Sequence, residues 1–178
     1  MSSADGGSIN LNSASAGIVG EGSITLKADK GIEIKDNFTS AGTTTIDSDV
    51  DNDGTGDFTI AELKELKTTD NKLQITANDL DLRGSLNTGT SSMELLVSDD
   101  GTIGLGDTAG NLTITGVELE NITANELIIG KDTNDSITVD NLTIANSANI
   151  SSKLELNTDK SITFSDNDSA FSSFDLSL

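Results

Sequence analysis

The sequence predicts an all-β fold, a parallel β-helix or β-solenoid, and three observations support this prediction. Short segments in which apolar and polar residues alternate recur along the whole chain of 178 residues. Neighbouring segments often start seven to nine residues apart, and two segments have near-copies later in the chain. Alternation with a period of two is typical of half-buried strands, and repeated segments indicate stacked coils.

Each predicted strand is a pair of apolar residues separated by one residue, which is usually Thr, Asn, Glu or Asp. Gly, Asn, Asp and Ser lie between the pairs, and these residues favour turns. Two or three such strands complete a coil of roughly 20–30 residues, a length typical of solenoid repeats. In chain order the pairs are Ile9/Leu11, Ile24/Leu26, Ile32/Ile34, Phe58/Ile60, Leu73/Ile75, Leu80/Leu82, Ile103/Leu105, Leu112/Ile114, Val117/Leu119, Leu127/Ile129, Ile137/Val139, Leu142/Ile144, Leu154/Leu156, Ile162/Phe164 and Phe174/Leu176.

Two internal similarities support a repeating fold. Residues 23–37 match residues 153–167 at six of fifteen positions, and the tetrapeptide NLTI occurs at residues 111–114 and 141–144.

An antiparallel β-sandwich is the alternative fold. A sandwich usually needs hairpin turns and some large core residues, whereas this chain has no Trp, Tyr or Pro. Its Ile, Leu and Val residues can stack on one another from coil to coil, so we favour the solenoid.

The charge of the chain limits its partners. It carries 30 acidic and 10 basic residues, a formal net charge of −20. Nucleic acids and anionic membranes are recognised through clusters of Lys and Arg, so we expect neither as a partner. No run of about 18 apolar residues is present, so we expect no membrane insertion. An acidic surface attracts cations, above all calcium.

The domain organisation follows from the extent of the pattern. We interpret residues 1–7 as a start or linker segment and residues 8–178 as one solenoid segment of a longer repeat protein. Apolar residues continue to Leu178, where a solenoid end would need a polar cap. The expected partners are therefore neighbouring repeats or further copies stacked end to end.

Residues 51–62, DNDGTGDFTIAE, match a twelve-residue EF-hand loop and form the sharpest local motif. Gly56 falls at the turn position and Glu62 at the bidentate position. Residues 41–48 are a poor entering helix, since they contain a Gly and three successive Thr. We therefore favour calcium binding by an acidic loop without paired helices, and a turn followed by a strand is the simpler interpretation. The candidate calcium ligands are Asp51, Asp53, Thr55, Asp57 and Glu62.

Enzymatic chemistry has weaker support. Without His or Cys, the chain lacks the residues of nucleophilic triads and of ordinary zinc sites. The carboxylate pairs Asp79/Asp81 and Asp99/Asp100 are the only candidates we consider for glycoside hydrolysis. Asp is a favoured turn residue, which explains these pairs more simply. We therefore expect a protein that is not an enzyme and requires no cofactor, with calcium as the one candidate ion.

Residues 72–90, 101–130 and 136–164 resemble the repeats of filamentous-haemagglutinin-like proteins, large exoproteins of Gram-negative bacteria and cyanobacteria built from β-strand repeats. The resemblance implies a right-handed parallel β-helix that is secreted or held at the bacterial cell surface. It also implies adhesion, with a cell-surface or glycan ligand. We expect a structural or stalk segment of an adhesin-like protein. A self-assembling extracellular filament subunit and a calcium-binding surface module are the alternatives.

Overall fold

The computed structural model describes residues 6–13, 17–165, 168–172 and 175–178. Nearly all of its regular structure is β-strand, with one short α-helix and one 3₁₀ helix at residues Ile144–Ser147. In chain order the elements are β1 (Ile9–Leu11), β2 (Ile18–Gly20), β3 (Ile24–Lys27), β4 (Ile32–Ile34), β5 (Phe38–Ser40), β6 (Thr44–Asp47), β7 (Phe58–Ile60), β8 (Glu65–Lys67), β9 (Leu73–Ala77), β10 (Leu80–Leu82), β11 (Ser85–Asn87), β12 (Ser92–Val97), β13 (Ile103–Gly106), β14 (Leu112–Ile114), α1 (Gly116–Glu120), β15 (Ile122–Gly130), β16 (Ile137–Asp140), β17 (Ile150–Asn157), β18 (Ile162–Phe164) and β19 (Asp175–Ser177).

The strands form three stacks, which we call sheets I, II and III. Sheet I contains β1, β4, β7 and β10, and then the separate ladder β14, β13, β16 and β18. Sheet II contains β2, β5, β8, β11 and the start of β15, and sheet III contains β3, β6, β9, β12, the rest of β15, β17 and β19. The first four coils visit sheets I, II and III in turn. The strands of sheet I that open the coils begin at residues 9, 32, 58, 80, 103, 137 and 162, so coils are 22 to 34 residues long.

Every pairing between the described strands is parallel, as the solenoid prediction requires. The ladders are in register over three or more residues in most pairs, for example Met93 to Val97 of β12 against Leu73 to Ala77 of β9. The antiparallel sandwich, our alternative, is wrong because its hairpins would give antiparallel neighbours. The fold is therefore a parallel β-solenoid.

Aliphatic side chains from successive coils line up inside the solenoid. Along sheet III one row of register partners is almost fully buried and consists of Leu26, Ile46, Ile75, Leu95, Ile129 and Leu156. Burial of each such side chain contributes about 1.5–3 kcal/mol. The row also confirms the first internal similarity, since Leu26 and Leu156 are matched residues of the two copies and occupy equivalent positions. Asp166 and Asn167 of the second copy lie outside the described residues.

Two of the predicted strand pairs are wrong. Val117 and Leu119 lie in α1, because Thr115 and Glu118 form a capping box: the Thr115 hydroxyl accepts from the Glu118 N–H, and the Glu118 carboxylate accepts from the Thr115 N–H at 2.9 Å. Leu142 lies in the loop before the 3₁₀ helix, and Ile144 is the first residue of that helix. Twelve other pairs lie in strands as predicted, while Phe174 of the last pair lies outside the described residues.

The apolar alternation pattern does not detect several strands of sheet II, because some of their inward-facing positions carry hydroxyl groups. Ser40, Thr68 and Thr88 are almost fully buried, and their strands or strand ends stack on one another. Each hydroxyl donates to a backbone carbonyl in the following turn, for instance Thr88 Oγ1 to Ser91 O at 3.0 Å. These bonds satisfy the polar atom inside the core. The sequence analysis missed β2, β5, β8 and β11 of sheet II. It also missed β6 and β12 of sheet III, although Met93, Leu95 and Val97 of β12 alternate inward.

Candidate functional site

The loop between β6 and β7, residues 48–57, holds the first candidate site. Its Asp, Asn and Gly residues favour a turn, and Asn52 and Gly54 adopt positive φ values of 53° and 78°. The Asp49 side chain is fully buried and accepts from the N–H groups of Asp53 at 3.2 Å and Gly54 at 3.1 Å. Its Oδ2 also accepts from Ser98 Oγ at 2.6 Å, two coils further along. Asp49 therefore fixes the loop onto the solenoid.

Three carboxylates meet in this loop. One oxygen from each of Asp49, Asp51 and Asp53 lies within 4.8 Å of the others. Desolvation beside the neighbouring groups of the loop raises the pKa of Asp51, and the charge of Asp53 raises it further. These groups repel one another, so the loop favours a nearby positive charge.

Lys30 supplies a positive charge beside the cluster. Its ammonium lies 2.5 Å from Asp53 Oδ2 and donates to Thr55 Oγ1 at 2.9 Å. The hydrogen bond to Lys30 holds the pKa of Asp53 below its ordinary value, and the same bond raises the pKa of Lys30. A lysine of the preceding coil thus contacts the oxygens that a cation bound at Asp53 would use.

The structure brings only some of the predicted calcium ligands together. Asp51, Asp53 and Thr55 lie at the cluster, where Thr55 Oγ1 donates to Asp53 Oδ1 at 2.5 Å. Asp57 instead accepts from Asn78 Nδ2 at 3.0 Å. Glu62 lies beyond β7 and lines a different cavity. Phe58 and Ile60 are fully buried in sheet I, so a strand runs between Glu62 and the loop.

The helical EF-hand interpretation is wrong. Strand β6 enters the loop and strand β7 leaves it, so no helix flanks the motif. The simpler interpretation, a turn followed by a strand, describes the backbone. Asp49, which lies two residues before the motif, is not among the predicted ligands. The alternation of β6, which buries Thr44, Ile46 and Ser48, would place Asp49 outward, so the sequence pattern carried no signal for its burial.

The second candidate site lies where sheet I is interrupted. Strands β10 and β14 are neighbours but belong to separate ladders, and side chains bond the backbone groups between them. The Thr113 N–H donates to Asp79 Oδ1 at 2.8 Å, and the Leu82 N–H donates to Glu118 Oε1 at 3.1 Å. Asn121 Nδ2 donates to the Leu82 carbonyl at 2.9 Å. Side chains thus replace the missing strand-to-strand bonds.

A cavity of about 620 Å³ opens at this interruption. Burial raises the pKa of Asp79, although the Thr113 and Leu80 N–H groups that bond its carboxylate counteract part of that effect. The cavity is lined by Glu62, Asp79, Leu80, Asp81, Leu82, Arg83, Thr113, Thr115, Val117, Glu118 and Asn121.

The two carboxylate pairs considered for catalysis have different surroundings. In the first pair, Asp79 bridges the two ladders, while Asp81 lies 3.1 Å from Arg83 Nε. In the second pair, Asp99 accepts from the N–H of Gly101, whereas Asp100 lies 2.7 Å from Lys131 Nζ. Each of these carboxylates thus has a partner that fixes the backbone or balances its charge.

Comparison of the chain with protein-family models, with curated proteins and with solved structures found no match. Among the described residues, no helix has the length and apolar character needed to cross a membrane. The basis for a functional proposal is therefore the solenoid itself and its two candidate sites.

Proposed function

We propose that this chain is a structural stalk segment of a secreted or cell-surface, adhesin-like bacterial β-solenoid, wound with a right hand. The observation that carries the proposal is the unbroken ladder of sheet III, in which seven strands pair in parallel from β3 to β19. In such an array each coil contacts mainly the coils next to it, so length can be added by repetition. This property suits a spacer that holds another part of a protein away from the cell.

The outer surface supports the same role. Several lysines bridge successive coils: Lys72 Nζ lies 2.5 Å from Glu94 Oε1, and Lys64 Nζ lies 3.0 Å from Asp36 Oδ1. The remaining negative charge repels other copies that approach side by side, which protects exposed strand edges from aggregation.

Surface labelling of cells tests the stalk proposal. An antibody raised against the folded chain should label intact cells of the source bacterium, and mild protease treatment of those cells should remove the label. An antibody against a cytoplasmic protein is the control and should label only permeabilised cells. Labelling by both antibodies only after permeabilisation would contradict a secreted or surface role.

A self-assembling filament subunit is the second proposal, and the first coil favours it. Leu11, Ile18, Ile24 and Phe38 help to line a cavity of about 280 Å³ at that coil. None of the described strands pairs with the outer edges of β1, β2 and β3. A coil of a further repeat or of a second copy can extend all three sheets by strand addition. Electron microscopy of concentrated protein should show filaments, and isolated particles would count against assembly.

Calcium binding in the loop of residues 48–57 is the third proposal, favoured by the convergence of Asp49, Asp51 and Asp53. Calcium titration should release or absorb heat and raise the melting temperature, and the double variant Asp51→Asn/Asp53→Asn should abolish both effects. Replacement of Lys30 by Met should tighten binding, because the lysine competes for Asp53 Oδ2. Absence of heat together with an unchanged melting temperature would remove this proposal.

A further inference from the structure

The interruption of sheet I forms a groove rather than an isolated pit. The cavity of about 620 Å³ adjoins a second one of about 290 Å³, and Arg83 and Asn121 line both. Cavities of roughly 300–1,000 Å³ are typical of ligand sites. The groove lies along the edge where sheet I passes into sheet II, from the turn after β7 to α1.

Exposed aliphatic side chains mark this edge. Leu63 lines the second cavity and is 90% exposed, and Val117 lines the first and is 67% exposed. Ile144 is 59% exposed and lies in the 3₁₀ helix, which belongs to the coil after α1 and packs on that helix. Clusters of exposed apolar side chains bordered by polar residues are typical of interaction surfaces. These three residues, in three different coils, contribute little to the core of this fold.

The rim of the first cavity is acidic. Its charged residues are Glu62, Asp79, Asp81, Glu118 and a single cation, Arg83, which gives a net charge of −3; the second cavity adds one positive and one negative residue, Lys64 and Glu65. Arg83 is already paired with Asp81. Among the described residues, no lysine or arginine lies within ion-pair distance of the other three carboxylates.

This combination selects one kind of occupant. An acidic rim around aliphatic side chains complements a segment that carries Lys or Arg between aliphatic residues. Anionic ligands would be repelled, and a second copy of this chain would bring a further charge of −20. We propose that the groove between β10 and β14 docks an extended basic segment of a partner polypeptide, with aliphatic contacts at Val117 and Leu63.

Calorimetric titration of the full chain tests this proposal with an end-blocked pentapeptide of alternating lysine and leucine. We expect saturable binding at one site, and clearly weaker binding of a pentapeptide of alternating lysine and glycine, which has the same charge. Because Val117 contacts the aliphatic residues, Val117→Ser should weaken binding roughly fivefold. Val19→Ser is the matched control, since Val19 is also 67% exposed but lies in β2 of the first coil. It should leave the affinity unchanged.

A second pair of variants separates the groove from the overall charge. Glu62→Gln/Asp81→Asn removes two charges at the rim and should weaken binding roughly fivefold. Glu21→Gln/Asp132→Asn removes two exposed charges elsewhere and should have little effect. Equal losses in the two double variants, equal affinity for both pentapeptides, or no binding at all would overturn the proposal. Tighter binding of a neutral oligosaccharide such as cellohexaose would also overturn it, by assigning the groove to sugars.

Discussion

Two serines show how the position of a single hydroxyl group changes its contribution to stability. Ser48 follows Ile46 by two residues and is fully buried, and its hydroxyl oxygen has no hydrogen-bond partner. The equivalent positions of the adjacent coils are occupied by Ala28 and Ala77. Ser98 is similarly buried, but its hydroxyl donates to the Asp49 carboxylate. An unsatisfied buried polar group destabilises a protein, whereas a bond to a buried charge stabilises it.

We therefore predict opposite effects for the same substitution at these two positions. Ser48→Ala should raise the free energy of unfolding by about 1 kcal/mol, because it removes an unsatisfied hydroxyl from an alanine-sized site. Ser98→Ala should lower it by about 1–3 kcal/mol, because Asp49 loses a donor. Urea denaturation of both variants measures the difference. A loss of stability in Ser48→Ala would show that its hydroxyl has a partner in solution.

Asp79 gives a prediction about pH. Burial raises the pKa of Asp79 above its ordinary value, so the ionised carboxylate destabilises the fold at neutral pH. This destabilisation fades as pH falls through the raised pKa and is absent below the ordinary Asp value of about 3.9. Asp79→Asn keeps an oxygen that can accept from Thr113 and Leu80. It should therefore be more stable than the wild type at pH 7, with a difference that shrinks towards pH 4.

Melting curves of the wild type and Asp79→Asn across this pH range measure the effect. Asp79→Ala is the control, because it removes the charge and the acceptor together and should be less stable than Asp79→Asn at every pH. A difference between Asp79→Asn and the wild type that grows on acidification would contradict the raised pKa.

At the scale of elements, the connection from β13 to β14 is unusual. Parallel strands normally need a crossover of about a dozen residues or more, but here residues 107–111 suffice. The returning loop lies on the outer face of β13, which explains why all four residues of that strand are buried. A Cβ at Gly104 would lie only 2.3 Å from the Thr108 carbonyl oxygen. Glycine at this position is therefore a requirement of the crossover.

Gly104→Ala should lower the free energy of unfolding by at least about 2 kcal/mol, since backbone rather than a flexible side chain must move. Gly22→Ala is the control. A Cβ at Gly22 has no neighbour within 4 Å, so this variant should be neutral or slightly more stable. Thermal and urea denaturation of the two variants make the comparison. Equal stability of the two would mean that the loop does not cover β13 in solution.

The tetrapeptide NLTI shows the limit of prediction from sequence at this scale. At residues 111–114 it includes β14, with Leu112 and Ile114 both buried. At residues 141–144 the same letters form a loop and the first residue of the 3₁₀ helix, with Leu142 buried but Ile144 exposed. The second copy stacks on α1, and its backbone N–H at Thr143 bonds the Asn146 side chain instead of a strand. The different conformation thus accompanies features outside the shared tetrapeptide, namely the following Asn146 and the helix α1 of the neighbouring coil.

At the scale of the whole molecule, charge repulsion opposes a compact fold. A net charge of −20 on 178 residues is screened by salt, because the Debye length falls from about 30 Å at 0.01 M to about 3 Å at 1 M. The melting temperature should therefore rise by several degrees as sodium chloride increases from 10 to 500 mM, and calorimetry measures this shift. A fall would indicate that ion pairs such as Lys72 with Glu94 outweigh the general repulsion.

Alternation in the sequence predicted twelve of the described strands and their parallel stacking in coils, but it missed six strands and assigned two pairs wrongly. Alternation depends on residues one or two positions apart, and the copies at residues 23–37 and 153–167 show equivalent places in different coils. The sequence also indicated an acidic loop at Asp51 and Asp53. These features are local, or repeat along the chain, and therefore do not require knowledge of the contacts between coils.

Which residues share a site depends on the contacts between coils. Asp49 meets Ser98, which is 49 positions away, and Asp79 meets Thr113 across the interruption in sheet I. Coils of 22 to 34 residues bring such pairs together, and a difference of a few residues in one loop changes the partners. For the same reason the sequence did not indicate that the hydroxyls of Thr68 and Thr88 face inward. Their acceptors lie in turns whose geometry depends on the neighbouring coils. Most strands therefore follow from local alternation, whereas the sites follow from the lengths of the coils between them.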